Sequence, residues 1–167
     1  MTTTGAITSI RLASKEDELD AASKLIRDYV GWTTALANVR LTDTRPATDG
    51  ELRDPVGYYA APNGRTILAT VDGSAAGFAT VSYRDKTPVM TRCYVTGDHR
   101  RAGIATGLVE VAVDETRAIG HRRLVTYVPG SARAAATGIL ANLGFHPAPR
   151  FTNTGLVSLD LERKEVI

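Results

Sequence analysis

The sequence predicts a single α/β domain in which helices cover a mixed, mostly antiparallel sheet. Short apolar segments alternate with segments of helical periodicity along the chain, and this pattern is typical of a sheet covered by helices. Asp72-Gly73 separates two apolar runs, as the turn of a β-hairpin does. A long apolar helix separates Val89–Val95 from Leu124–Val128, which predicts a parallel crossover between these two strands.

The first strand and helix follow from two periodicities. Ile7–Leu12 alternates apolar and polar residues and is expected to be a strand. Ser14, with Asp17 three residues later, is expected to cap the next helix. Apolar residues on that helix recur at helical spacing and predict one buried face: Leu19, Ala22, Ile26, Tyr29 and Val30.

The segment from residue 31 to residue 64 has no clear period. We expect short helices there, around Thr33–Ala37 and Thr48–Arg53. Three antiparallel strands are expected to follow, at Arg65–Val71, Ala75–Tyr83 and Val89–Val95.

The second half begins with the longest predicted helix, from about Arg101 to Ile119. Apolar residues cover most of its circumference, and Gly120 is suited to its C-cap. The remaining elements are bounded by Gly or Pro: Leu124–Val128 as a strand, a helix around Ala132–Leu143, and strands at Phe145–Phe151 and Leu156–Leu161. The predicted order is β-α-(α)-β-β-β-α-β-α-β-β.

Composition narrows the classes of function. A chain of 167 residues with 43% hydrophobic and 23% charged residues suits one globular domain. A net charge of only +2 argues against a nucleic-acid partner. One cysteine and three histidines predict neither a disulfide nor a metal site. The sequence shows no membrane-length apolar stretch and no signal-like N-terminus, so we expect a cytoplasmic protein of bacterial type without membrane contacts.

The turn that precedes the long helix carries the strongest functional signal. The first N–H groups of a helix have no intrahelical acceptor, and the helix dipole adds positive potential there. Gly103 lets the main chain approach a ligand closely because it has no Cβ. Such a turn predicts a phosphate or pyrophosphate site. Its expected binding residues are Arg100, Arg101, Ala102, Gly103, Ile104, Ala105 and Thr106.

This turn resembles the pyrophosphate loop of the GNAT superfamily of N-acyltransferases. That loop has the pattern Gln/Arg-x-x-Gly-x-Gly/Ala, and the chain has Arg100-Arg101-Ala102-Gly103-Ile104-Ala105. Three further segments resemble a bacterial GNAT subfamily: residues 57–62 (GYYAAP), residues 91–95 (TRCYV), and residues 120–124 (GHRRL) with 143–145 (LGF). The resemblance covers about residues 7–162. It implies one GNAT domain over residues 1–167, with a central parallel pair of strands that splay apart.

The resemblance implies an acyl-CoA-dependent N-acyltransferase. Acetyl-CoA or another acyl-CoA would be the cosubstrate, and a primary amine would attack the thioester directly. In the family, a main-chain N–H of the fourth strand holds the thioester carbonyl, and pantetheine pairs with the same segment. Here these groups would come from Cys93, Tyr94 or Val95. The acceptor would be a small-molecule or peptide amine, and the family also implies a homodimer.

Two functional residues of the subfamily are replaced in this chain. The usual carboxylate base aligns with Val89, and the usual tyrosine acid aligns with Leu140. We therefore expect a weakly basic acceptor or a base from elsewhere, with Asp98, His99, Tyr83 and Tyr127 as the possible sources. Of these, His99 and Tyr127 are the preferred catalytic candidates.

Aromatic residues supply the expected acceptor pocket: Trp32, Tyr29, Tyr58, Tyr59 and Tyr83. Tyr29 also fits the core, because it lies on the apolar face of its helix. Cys93 is expected to be a small buried hydrophobic residue rather than a nucleophile.

Two other functions remain open. One is a GNAT fold that binds CoA as a sensor or partner module and has lost its catalytic activity. The other is a transferase that uses a carrier-protein or aminoacyl-tRNA donor, in which case the basic rim of the loop would be a docking site. Only this last alternative involves a nucleic acid.

Overall fold

The helices and strands follow the predicted alternation. The computed structural model describes residues 8–33, 42–43, 49–84, 86–99, 103–127, 133–147 and 156–160. Its helices are α1 (Glu16–Thr33), α2 (Asp49–Arg53), α3 (Pro55–Tyr58), α4 (Ile104–Ile119) and α5 (Arg133–Asn142). Its strands are β1 (Thr8–Leu12), β2 (Thr42–Asp43), β3 (Gly64–Val71), β4 (Ser74–Ser82), β5 (Val89–Val95), β6 (Arg123–Tyr127), β7 (His146–Pro147) and β8 (Leu156–Asp160).

The described strands form one sheet in the order β1-β3-β4-β5-β6-β8-β7. β5 and β6 run parallel, while every other described pair is antiparallel. α4 lies between β5 and β6 in the chain, so it forms the crossover that the parallel pair requires. The prediction of a mixed, mostly antiparallel sheet with a central parallel pair is confirmed.

Local signals explain several of the element ends. Asp72 and Gly73 both have positive φ angles, of 50° and 82°, as a two-residue hairpin turn requires. Gly120 ends α4 with a φ of 108° and donates its N–H to the carbonyl of Arg117, which is the predicted C-cap.

The start of α1 differs from the prediction by one residue. Lys15 accepts the first helical bond from the N–H of Leu19, and its own N–H donates to Glu18 Oε1 at 3.1 Å. Lys15 is therefore the N-cap, and Glu18 supplies only the return bond of a capping box, because a lysine side chain cannot accept a main-chain N–H. The expected pair of Ser14 with Asp17 is wrong by one residue. The carboxylate of Glu18 has the longer reach and lies three residues after the N-cap.

Two short elements were not predicted, and both lie in the segment without a clear period. β2 has two residues and exists as a strand because it pairs with β5. α3 begins after Asp54, whose side chain accepts the N–H of Gly57, and has Pro55 in its first turn. The helix predicted around Thr48–Arg53 is confirmed as α2. The one predicted around Thr33–Ala37 lies beyond the end of α1, outside the described residues.

The core lies on both faces of the sheet. One cluster packs α4 against the central strands, with Leu108 and Ala112 completely buried. On the other face, Ile26 and Tyr29 of α1 pack on Phe78 of β4. Helices therefore cover the middle of β4 and β5 on both sides, so most side chains there are buried whichever way they point. None of the helices in the described ranges has the length and apolar character needed to cross a bilayer.

Candidate active site

The central strand β5 contains an extra residue. Met90 pairs with Val81 of β4, whereas Arg92 pairs with the preceding β4 residue, Thr80. Thr91 is therefore an unmatched residue in β5, which defines a β-bulge. A bulge shifts the two-residue alternation of a strand by one position. After the bulge, each residue therefore has the main-chain and side-chain directions that its neighbour would have in a strand without the bulge.

The bulge sets the direction of the main chain at the end of β5. Thr96 donates its N–H to the carbonyl of Ala76 at 2.8 Å, so the main chain of Thr96 faces β4. Because direction alternates along a strand, the N–H and C=O groups of Val95 and Cys93 face the opposite edge. Pairing with β6 is confined to Val89 and Met90. Beyond Met90, these groups face a gap from which β6 has diverged.

β2 fills part of this gap. Thr42 lies opposite Cys93, and Asp43 lies opposite Arg92. Val95 lies outside these described pairs, and the main chain of Tyr94 faces β4. Of the three residues expected to hold a thioester carbonyl, Val95 therefore has the most suitable N–H. The main chain of Cys93 faces β2, and Tyr94 is excluded by its direction.

The N-terminus of α4 lies at the same end of β5. Gly103 caps the helix with a left-handed conformation, at φ 77° and ψ 7°, which favours glycine. Gly107 donates the first helical bond to Gly103, at 3.1 Å. The N–H groups of Ile104, Ala105 and Thr106 precede that bond, so they have no acceptor within the helix.

Gly103 is not packed against other described residues. A Cβ at Gly103 would meet no heavy atom of the described protein within 4 Å. The cap therefore opens onto free space rather than onto packed side chains. The expected partners Arg100, Arg101 and Ala102 lie outside the described residues.

His99 ends the short 3₁₀ turn of residues 97–99 that follows β5. The Nδ1 atom of His99 lies 2.9 Å from the hydroxyl oxygen of Thr96. The main-chain N–H of His99 donates to the main-chain carbonyl of Thr96. Thr96 thus orients the imidazole through Nδ1. His99 lies on the segment that joins Val95 to the α4 cap.

A buried polar network lies directly at the bulge, and sequence reasoning missed it. Arg92 contacts both carboxylate oxygens of Glu51, at 2.5 and 3.1 Å. Tyr59 donates its hydroxyl to Glu51 at 2.9 Å. The hydroxyl oxygen of Thr91 lies 3.0 Å from that of Tyr59 and 2.8 Å from that of Thr80. Both charged residues are only 3% exposed.

The electrostatics of the network follow from burial. Burial raises the pKa of the Tyr59 hydroxyl well above its usual value, and the nearby Glu51 carboxylate adds to this effect. Tyr59 is therefore protonated at neutral pH and acts as a hydrogen-bond donor. The Glu51 carboxylate accepts bonds from Arg92 and Tyr59, so it is better placed to fix these groups than to remove a proton from a substrate.

Glu51 gave no signal in sequence because it lies in a segment without periodicity. Arg92 did give a signal in the sequence, because it occurs in the middle of a strand that is predicted to be central. A central strand that is covered on both faces leaves its side chains no path to solvent. A charged residue there predicts a buried partner of opposite charge.

The structure brings together only some of the predicted acceptor residues. Tyr58 packs edge-on against Tyr59, with ring centroids 5.0 Å apart, and the Arg84 guanidinium lies 4.3 Å from the Tyr58 ring centre. Tyr29 is buried and packs against Phe78 in the core. Of its two expected roles, the structure supports the core role.

Tyr83 lies far from the Gly103 cap. Its hydroxyl is 3.0 Å from that of Thr116, and its ring stacks on His121 at 5.4 Å. Thr116 is twelve residues beyond the start of α4, a rise of about 18 Å along the helix. Tyr83 directly follows Ser82, which pairs with Val89 at the start of β5, so its role in the acceptor pocket or as the base stays a prediction.

Three other predicted residues have main-chain positions only. Trp32 lies in the last turn of α1, Tyr127 ends β6, and Asp98 lies within the 3₁₀ turn. Their side chains are outside the described part of the structure. Among the described residues, no group of three His, Cys, Asp or Glu side chains could hold a metal ion.

The two substituted catalytic positions are apolar in space as well as in sequence. Val89 pairs with Val125 of β6, and Leu140 is buried in the main core cluster. Neither position provides a proton donor or acceptor.

Cys93 is expected to be inert towards thiol reagents. It is 0% exposed, and burial raises the pKa of its thiol to about 12. The thiolate is the reactive species, so the folded protein should show no titratable thiol at pH 8, while the unfolded chain should show one. An Ellman titration with and without guanidinium checks this, and rapid modification of the folded protein would contradict it.

Comparisons with known proteins give independent information on the family and the fold. The model of the acetyltransferase (GNAT) family matches residues 32–145, which is more than half of the chain. A search of curated proteins finds no match.

Solved structures share the fold at low sequence identity. The yncA protein of Salmonella typhimurium, solved with its cofactor acetyl-CoA, has a TM-score of 0.69 at 18% identity, covering 95% of this chain and 96% of its own. An N-acetyltransferase of Staphylococcus aureus Mu50 has a TM-score of 0.68 at 24% identity, with coverages of 93% and 99%. The PaiA N-acetyltransferase of Thermoplasma acidophilum, solved with coenzyme A, has a TM-score of 0.65 at 14% identity, with coverages of 92% and 99%.

The family model and the fold agree on one assignment: the chain belongs to the GNAT acetyltransferase family.

Proposed function

We propose that this protein is an N-acyltransferase that transfers an acetyl group from acetyl-CoA to a primary amine by direct attack. The observation that carries the proposal is the left-handed cap at Gly103, which opens onto free space at the N-terminus of α4. The cap follows the end of β5, where the N–H of Val95 faces the gap beside β6. The acetyl-CoA and CoA bound to yncA and PaiA support this choice of donor.

Two sets of main-chain N–H groups could bind acetyl-CoA, one at its diphosphate and one at its thioester. The N–H groups of Ile104, Ala105 and Thr106 would hold the diphosphate. The N–H of Val95 would donate to the thioester carbonyl, where negative charge develops as the amine attacks. The amine nitrogen bonds to the carbonyl carbon, the C–S bond breaks, and the CoA thiolate accepts the proton that the amine gives up.

The apolar residues at positions 89 and 140 favour a weakly basic acceptor. A thiol has an ordinary pKa of about 8.5, so the CoA thiolate can leave without a positioned acid. An amine of low pKa is already neutral at pH 7 and needs no strong base. His99 and Tyr127 remain the proposed sources of proton transfer, and Tyr58 and Tyr83 the proposed pocket wall. Tyr59 is only 3% exposed and its hydroxyl is bonded within the buried network, so it does not line a pocket. We also propose a cytoplasmic location and a homodimer, on the basis of the family resemblance.

The absence of both usual catalytic groups also favours a second function, a CoA-binding sensor or partner module. Such a protein would retain the Gly103 cap and the gap between β5 and β6, but it would not convert acetyl-CoA to CoA. A carrier-protein or aminoacyl-tRNA donor is a third possibility, and it predicts weak or no binding of free CoA.

Two measurements test the proposal. Isothermal titration should show that CoA and acetyl-CoA both bind, and a free-thiol assay across amines of different pKa should then show turnover with at least one of them. Binding without turnover across the panel would favour the sensor. If neither CoA nor acetyl-CoA binds, both the enzyme and the sensor are wrong.

A further inference from the structure

We propose that the buried network of Glu51, Tyr59, Thr80, Thr91 and Arg92 is a positioning device for the reacting thioester. It holds the bulge of β5 in the one register that turns the N–H of Val95 towards the donor gap. This inference rests on the proposed function, because it assumes that the thioester carbonyl lies in that gap.

The network is attached to the bulge at two successive residues. The hydroxyl of Thr91, the unmatched residue, is hydrogen-bonded to both Tyr59 and Thr80. The next residue, Arg92, forms the ion pair with Glu51 of α2. The bulge is thereby tied to β4 on one side and to the α2–α3 segment on the other.

Register matters at this place because it decides which amides reach the gap. If β5 paired with β4 without the bulge, the alternation after Met90 would be reversed. Arg92 and Tyr94 would then present their N–H groups to the gap, and Val95 would face β4. A one-residue slip would therefore remove the proposed contact with the thioester carbonyl.

Packing alone does not account for charged groups in this position. A buried ion pair is often no more stabilising than well-packed apolar residues of similar volume. What directional bonds supply, and apolar contacts do not, is a preference for one arrangement of the strand. The hydroxyl of Thr91 is thus a positioning group, acting on the thioester through the main chain of β5.

Loss of the network is expected to affect catalysis and CoA binding to different extents. The proposed diphosphate site lies on the first turn of α4, which none of the network hydrogen bonds touches. Loss of the network should therefore lower kcat by more than it weakens CoA binding, because the diphosphate contacts stay and only contacts of CoA with β5 are affected. A purely structural role would change neither quantity in a variant that still folds.

Three threonine variants test this. Thr91→Val removes the hydroxyl and keeps the shape, whereas Thr91→Ser keeps the hydroxyl. Thr66→Val is the matched control, because Thr66 is a buried threonine of β3 whose hydroxyl has no partner among the described residues. Tyr59→Phe provides a second route to the same network if Thr91→Val fails to fold.

We expect kcat to fall about 10- to 100-fold in Thr91→Val and Tyr59→Phe. The dissociation constant for CoA should rise by less than kcat falls in both, and Thr91→Ser and Thr66→Val should match the wild type. Amide NMR supplies a readout that needs no acceptor. The Val95 amide proton should shift between the CoA and acetyl-CoA complexes of the wild type, and this difference should disappear in Thr91→Val.

Each result decides between the two proposals. A wild type that does not bind CoA refutes the proposed function. A wild type that binds CoA, but whose Val95 shift difference and kcat are the same in Thr91→Val and Tyr59→Phe, refutes the positioning role alone. An equal loss of kcat in Thr66→Val would also refute it, since that variant leaves the network intact.

Discussion

A Gly103→Glu variant will lose CoA binding while its fold remains intact. The carboxylate would lie at the N-terminus of α4, where the diphosphate is proposed to bind, and two like charges about 4 Å apart in partly desolvated surroundings repel by several kcal/mol. We expect an affinity loss on the order of 100-fold or more, measured by isothermal titration.

The variant will also be less stable, for a separate reason. Gly103 has a positive φ, and a side chain in this conformation costs about 1–2 kcal/mol. For a chain of this size, that cost lowers Tm by a few degrees.

Gly120→Glu is the matched control for Gly103→Glu. Gly120 also has a positive φ and open space where a Cβ would lie, but it caps the other end of the same helix. The two variants carry the same added charge, and both place a side chain at positive φ, with the greater strain at Gly120, whose φ is 108° against 77° at Gly103. The helix dipole also makes the carboxylate less favourable in Gly120→Glu than in Gly103→Glu. If Gly120→Glu impairs CoA binding as strongly as Gly103→Glu, the ligand does not bind at the α4 N-terminus.

The second large effect is expected on stability. Arg92→Met removes one partner of the buried ion pair and leaves the Glu51 carboxylate without its main counter-charge. Breaking such a pair costs about 3–5 kcal/mol. Urea unfolding of Arg92→Met should show a loss of this size relative to the wild type.

Two control variants separate burial from the loss of an arginine. Arg11→Met breaks an ion pair with Glu18 in which Arg11 is 53% exposed, so its cost should stay below about 1 kcal/mol. The double variant Glu51→Met with Arg92→Met removes both buried charges and should recover most of the stability lost in Arg92→Met. A double variant less stable than Arg92→Met would show that the network itself stabilises the fold.

Much of the fold could be predicted because its signals are local. The hairpin at Asp72-Gly73 needs only two residues that tolerate positive φ, and α4 needs only apolar periodicity and a glycine at its end. The same holds for the proposed anion site. Its amides are the first of a helix, so a strand, a Gly-containing turn and a helix in sequence are sufficient to predict that such amides are present.

The acceptor side was harder to predict, as the aromatic residues illustrate. Tyr29, Tyr59 and Tyr83 were grouped because aromatic side chains line many pockets. In the structure, Tyr29 packs in the core, Tyr59 belongs to the buried network, and Tyr83 contacts the far end of α4. Composition does not encode which face or which end of the sheet a tyrosine reaches.

The sequence by itself determined the domain, the order of its elements and the helix start where an anion would bind, since each depends on residues close together in the chain. Only the tertiary structure decided which amide of β5 faces the gap beside β6 and which carboxylate pairs with Arg92. Both depend on register: one unmatched residue in β5 reverses the direction of every residue after it. It also places Arg92 beside Glu51, forty-one positions earlier in the chain, a pairing that no local pattern contains.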